Sequence, residues 1–292
     1  MRQTVLLAGL CLWGTAAFAA DPALLNLVMP NAKVLAGVNV ASALTSPFGQ
    51  FVLGRIATHH PSFPVFFDPR TDLTELLFAS AADPTSPGGL ILASGTFNVT
   101  QIAAEAANHP HLAVQSYDGY TLIVTTNPKA KVVRAVAFIN NSVAVAGDVS
   151  DVEAALDRST TANSIDPALA AEVNTLSTNN DAWIASSVGP PARKLQALQA
   201  IQSFEAGVMF GANAVGTGQA VANSPQNAAA LANVIQLLGN VRGLQGLQTS
   251  AADATVNLSL RLPEAQIEEM INGLAARRRQ ARPSGQARQS VR

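Results

Sequence analysis

Apolar residues recur along this chain with two different periods. Val256, Leu258, Leu260 and Leu262 alternate with Asn257, Ser259 and Arg261, a period of two that puts one side of a strand in a core and the other in water. Phe48, Phe51, Val52 and Ile56 recur instead at three- and four-residue intervals, as do Leu231, Val234, Ile235 and Leu238, and Ile267, Met270, Ile271 and Leu274. That spacing draws one face of a helix. Ser46-Pro47, Asp166-Pro167 and Ser224-Pro225 each set a side-chain oxygen before a proline, the grammar of a capped helix start. Ser150-x-x-Glu153 has the form of a capping box. Asp118-Gly119, between Tyr117 and Tyr120, predicts a tight hairpin because both residues accept positive φ. Ile139 to Ser142 predicts a second hairpin between Ala135–Phe138 and Val143–Ala146.

In chain order these elements predict a repeat. The first copy reads strand (33–40), helix (47–58), strand (73–81), strand (89–96), helix (99–108), strand (112–126). The second reads strand (182–188), helix (192–201), strand (204–212), strand (218–223), helix (225–241), strand (247–262). Each copy closes with a strand leading into a helix, 143–147 into 151–158 and 255–262 into 264–276. The expected fold is therefore α+β: two ferredoxin-like βαββαβ repeats, with helices on one face of largely antiparallel sheets. The segments are a leader at 1–19, a first repeat at 20–158, a linker with a short helix at 159–181, a second repeat at 182–276 and a disordered basic tail at 277–292.

Pro30-Asn31-Ala32-Lys33-Val34-Leu35-Ala36-Gly37-Val38-Asn39-Val40, followed by Ser46-Pro47-Phe48-Gly49, resembles the start of a group of exported bacterial α+β proteins to which no activity is assigned. Asp72-Leu73-Thr74-Glu75-Leu76-Leu77 is similar to a later block of that group, as is Ala146-Gly147-Asp148 leading into Val152-Glu153-Ala154-Ala155-Leu156. The resemblance spans most of the chain after residue 19. Its motifs form fold rather than chemistry, so it implies compartment and architecture only.

The leader has three parts in order: Arg2, an apolar run from Val5 to Trp13, and Ala17-Phe18-Ala19 with small residues where a signal peptidase reads. This predicts cleavage between Ala19 and Ala20 and a periplasmic or secreted destination. Cys11 is the only cysteine, so cleavage removes the one thiol and the remaining chain can make no disulfide. No later segment reads as a membrane span. Charged residues make up 13% of the chain, about half the usual share. From Asp21 to Met270 there are 19 acids and 11 Lys/Arg, whereas from Ile271 to Arg292 there are six arginines and no acid. An acidic body argues against a nucleic-acid-binding face, which needs a concentrated basic patch. The Arg277–Arg292 tail suits weak, salt-sensitive contact with an anionic surface.

The four histidines form the best candidate site. His59 and His60 follow one helix of the first copy, and His109 and His111 follow the other. In a ferredoxin-like unit those helix ends share an edge, so the four would converge, with Asp68 and Asp83 as further oxygen ligands for a zinc-like metal. The competing reading is simpler: histidine at a helix C-terminus complements the dipole. No G-x-S-x-G elbow is present. Gly211 to Gly218 lacks the lysine of a phosphate loop and reads as a flexible hairpin loop. Asp148/Asp151 and Glu264/Glu268/Glu269 read as acids at helix starts. No cofactor is implied. Two functions from different classes remain. The first is a non-catalytic binding or structural envelope protein with an unidentified protein or envelope component as partner, using the sheet face that helices leave open. The second is a metal-dependent hydrolase built on the histidines.

Overall fold

The computed structural model describes residues 20–47, 49–50, 71–82, 88–126, 133–160, 165–190, 196–241, 243–244, 246–263, 265, 266 and 269. The leader, most of the 47–58 helix, His59, His60, Asp68, Asp83, Glu264, Glu268 and the arginine tail lie outside these residues.

Strands β1 (Val34–Asn39), β2 (Leu73–Ser80), β3 (Leu90–Gly95), β4 (Leu112–Tyr117), β5 (Tyr120–Thr125), β6 (Arg134–Phe138) and β7 (Val143–Asp148) make the first half of the molecule. Strands β8 (Ala182–Ser186), β9 (Ile201–Met209), β10 (Asn213–Ala222), β11 (Leu247–Ala252) and β12 (Thr255–Pro263) make the second. The helices are α1 (Pro22–Leu25), α2 (Val40–Leu44), α3 (Val99–Ala107), α4 (Val149–Arg158), α5 (Pro167–Asn179), α6 (Gln196–Gln199) and α7 (Pro225–Val241). All the strands belong to one 12-stranded sheet in the order β11-β12-β10-β9-β8-β1-β2-β3-β7-β6-β5-β4.

This overturns the expectation of two ferredoxin-like repeats. A βαββαβ unit needs helical crossovers that return strands parallel to one another. Here every described pairing is antiparallel, including β1 with β2 across the connection that holds α2. The stretches expected as the last strand of each βαββαβ unit are hairpins: 112–125 folds as β4 and β5, and 247–263 as β11 and β12. The halves are not separate sheets either. β1 and β8 pair with Val34 opposite Ser186 and Val38 opposite Ala182, and this seam fuses them. Gly37 faces Trp183 there, and a Cβ on Gly37 would stand 2.6 Å from the indole. Glycine is what lets the ring lie across the seam.

Nor do the helices keep to one face. In the first half, Leu35, Leu77, Leu92, Leu122, Val124, Val143 and Val145 point to one side and are buried with Leu24 of α1, Val152 and Leu156 of α4, and Leu169 and Val173 of α5. Their strand neighbours Ala93, Ile123 and Ala144 point to the other side and are buried with Val40 of α2 and Ile102 of α3. Both faces are therefore covered, which explains why β3 and β7 read as near-continuous apolar runs rather than alternating ones. Helix α5, expected within the 159–181 linker, packs three of its apolar residues into the larger core.

In the second half α7 covers one side, and on the other α5 reaches only as far as β9. Ala220, Ala222 and Val256 are buried against Ala228, Leu231 and Ala232 of α7. The opposite face of β9, β10 and β12 carries Glu205, Gln219 and Asn257 in one row and Gly207, Thr217 and Ser259 in the next. The strand alternation at 255–262 is the signature of this one-sided burial.

Several local features follow the sequence. Asp118 and Gly119 have φ of 47° and 84°, the two positive values the hairpin turn requires. Asp166 accepts from Ala168 N at 2.8 Å and Ser224 from Asn227 N at 3.2 Å, so both caps form. Helix α4 starts one residue ahead of Ser150, with Asp148 at the N-cap and no side-chain capping bond. The glycine-rich 211–218 stretch is not all loop, because β10 begins at Asn213 and takes Gly216 and Gly218 into the ladder.

Candidate functional site

His109 and His111 sit in the turn that links α3 to β4. The His111 N–H donates to His109 Nδ1 at 3.3 Å, and the rings lie edge to face with centroids 6.0 Å apart. One ring nitrogen is thus engaged locally by the chain that follows the helix. Among the described residues no group of three or more His, Cys, Asp or Glu is arranged to hold a metal ion. His59 and His60 lie outside the described residues, and the ferredoxin-like geometry that was to bring the two pairs together is not the geometry of this sheet.

Two carboxyl groups that the sequence did not single out meet at the open face of the second half. Glu172, on α5, is hydrogen-bonded to Glu205 on β9. Burial, then that hydrogen bond and the repulsion between the two, push the Glu172 carboxyl up to about 7. Helix α5 leans close here: a Cβ on Gly207 would lie 2.2 Å from the Asn180 side chain. Beyond Glu205 the row continues through Gln219, whose amide donates to Asn257 Oδ1 at 3.1 Å. The Glu172 carboxyl can hold a proton near neutral pH, and the row is polar and opens to solvent at Gln219.

Apolar surface is concentrated elsewhere, on α7. Its inner stripe of Ala228, Leu231, Ala232, Ile235 and Gly239 lies on the sheet. A second stripe, Ala230, Val234, Leu237 and Val241, follows the same three- and four-residue spacing on the outside, with Leu238 beside it. Leu237, Leu238 and Val241 are 62%, 44% and 76% exposed. The helix has no Asp, Glu, Lys or Arg over its 17 residues. Gly239 carries it onto β11, since a Cβ there would be 2.3 Å from Leu247 Cδ2. Strand β11 ends the sheet, and its sequence Leu-Gln-Thr-Ser-Ala-Ala is also uncharged. Its outer backbone groups face away from β12 and pair with no described strand. An uncharged edge and an exposed apolar stripe thus adjoin. The sequence reading placed Leu238 and Val234 on the buried side. Apolar residues on two faces of a chargeless helix were the signal that one face would stay out of the core.

Among the described residues no helix is long and apolar enough to cross a membrane. Fold and surface together define an α+β protein on a single antiparallel sheet, sandwiched by helices in one half and open in the other. Two crystal forms of one protein, TP0453, have similar folds. Form I matches with a TM-score of 0.57 and 14% identity over 88% of this chain and 99% of that one. Form IV matches with a TM-score of 0.51 and 13% identity over 86% and 96%. At such identity the likeness is one of fold alone. No family model matches the chain, and no curated protein does.

Proposed function

We propose that this chain is an exported, non-catalytic binding protein of the cell envelope, and that its contact surface is the outer stripe of α7 together with the β11 edge. The observation that carries this is the exposure of Leu237, Leu238 and Val241 beside an uncharged edge strand. Exposed apolar side chains that cluster mark interaction surfaces more often than scattered ones do. The occupant is a protein. An open edge offers a row of N–H and C=O groups that only another backbone can match, while the stripe gives that partner an apolar shelf. This places the contact on the helix-covered side of the second half, not on the open sheet face, where Glu172, Glu205, Gln219 and Asn257 are polar. The leader at 1–19 supports export, and the resemblance to exported bacterial proteins agrees with it.

The test is co-sedimentation of the mature chain with native envelopes, before and after protease treatment of the envelopes. Binding is expected with untreated envelopes and lost with treated ones, and a Leu237→Gln/Leu238→Gln/Val241→Gln variant with unchanged melting should fail to bind. Binding that survives protease treatment would replace the protein partner with a lipid surface. Variant binding equal to wild type would remove α7 from the account.

A further inference from the structure

We propose that cleavage after Ala19 builds an internal clamp: the new α-ammonium of Ala20 is held by the Glu75 carboxylate and Ser177 Oγ, fastening the mature N-terminus between β2 and α5. The proposal rests on the export reading above and deepens it by giving the processing event a structural consequence.

Chain ends are ordinarily exposed and loosely held. Even before cleavage, with residue 19 still attached, Ala20 is 5% exposed and belongs to the larger core with Leu24, Leu35 and Leu176. Its nitrogen donates to Ser177 Oγ at 2.9 Å in a buried bond that joins residues 157 positions apart. The next nitrogen, of Asp21, donates to Glu75 Oε2 at 3.1 Å. One residue of backbone spans at most about 3.6 Å, so the Ala20 nitrogen lies within about 7 Å of that carboxylate. The Asp21 side chain turns away to cap α1, accepting from Ala23 N at 2.9 Å.

Glu75 is a half-buried carboxylate at the margin of that core. It stands on β2 opposite Asn39 and Ser94, and no cationic side chain is among the groups that act on it. With an amide at Ala20, burial pushes the Glu75 carboxyl up to about 7; the hydrogen bond from the Asp21 N–H draws it back down, and the Asp21 carboxylate raises it by less. Such a carboxyl lacks a cation. Hydrolysis of the Ala19–Ala20 bond supplies one. Water's hydroxyl goes to the Ala19 carbonyl carbon, and Ala20 keeps an amine that takes up a proton at neutral pH. A single-donor amide becomes a three-donor ammonium facing a hydroxyl oxygen and a carboxylate.

The sign of the pH dependence separates the two states. With an amide at residue 20, a Glu75 value raised above 4.5 favours the folded state as the acid, and that stability is lost as pH climbs towards about 7. With an ammonium there, the carboxylate is paired and the loss disappears.

The experiment begins with N-terminal sequencing of the exported protein, followed by α-amine methylation rates of the mature chain, folded and in urea. A start at Ala20 and an amine at least about tenfold slower in the folded chain, the effect of a one-unit rise in its pKa, are expected. One extra glycine before Ala20 should lower melting at pH 7 and restore the fall in stability between pH 5 and 7. At pH 7 Glu75→Gln should lower melting of the mature chain and raise that of the glycine-extended one. A start at any other residue overturns the processing step itself. A start at Ala20 with an amine as reactive as in urea overturns the clamp and leaves export standing, and this readout needs no variant to fold.

Discussion

The two halves of this sheet are built from the same kinds of element but bury them differently. From β1 to β7, strands carry apolar side chains to both faces, and α1, α4 and α5 close one side while α2 and α3 close the other. From β9 to β12 the α7 side is closed, while the far side is overlain by α5 only at β9 and beyond it shows Gln219, Asn257, Thr217 and Ser259. The first half therefore has the packing of a scaffold. The second has a thinner core, an uncharged edge and a helix whose outer stripe remains free for a partner. A chain that must be stable without disulfides places its thick core in one region and its sticky surface in the other.

The sharpest way to break this comparison is to cut equal volumes from the two cores. Leu92 and Leu231 are both fully buried. Leu92→Ala should cost about 4 kcal/mol, near the top of the range for buried leucines, because its surroundings are fixed by elements on both faces. Leu231→Ala should cost about 2.5 kcal/mol, since α7 can settle towards the sheet. Urea unfolding gives both numbers, and equal losses would mean that the second core is as constrained as the first.

The seam is the next test. Gly37→Ala puts a methyl group 2.6 Å from the Trp183 ring, which is buried and cannot swing aside freely. A loss of about 2 kcal/mol is expected, with changed Trp fluorescence, as for overpacked sites generally. A neutral result would show that the halves join less tightly than β1 and β8 imply.

Smaller effects belong to the open face. The Glu172 carboxyl is raised above 4.5 to about 7, so it favours the folded state as the acid and that contribution fades as pH rises through this window. Glu172→Gln should melt higher than wild type at pH 8 and show a flatter melting curve between pH 5 and 8. Gln219→Ala, on the same face, should change stability by no more than about 0.5 kcal/mol. A large loss from Gln219→Ala would mean that this face is covered in the folded protein.

How much of this was readable beforehand varies with the range of the interactions. Strand alternation at Val256–Leu262, the Asp118-Gly119 turn and the caps at Asp166 and Ser224 depend on neighbours in sequence, and they formed as the residues imply. The sheet order did not follow, because the β1–β8 pairing joins residues about 150 positions apart, and no local pattern distinguishes a fused sheet from two repeats. The continuous apolar runs Leu90-Ile91-Leu92 and Val143-Ala144-Val145 did carry the two-sided burial, but they were read as ordinary strands. Glu75 looked like one polar residue in a strand. Its partial burial comes from Asp21 and the core around α5, which only the tertiary fold brings to it. The convergence of the four histidines was inferred from a topology the chain does not adopt, and with His59 and His60 outside the described residues the site itself stays an expectation.

The claim that matters most is where the partner sits. A photo-reactive residue placed at Leu237 and, separately, at Gln219 can be activated in the mature protein bound to native envelopes. The account predicts a discrete protein adduct from position 237 and none from position 219. Adducts from position 219 alone would move the binding surface to the open sheet face and contradict the reading given for α7.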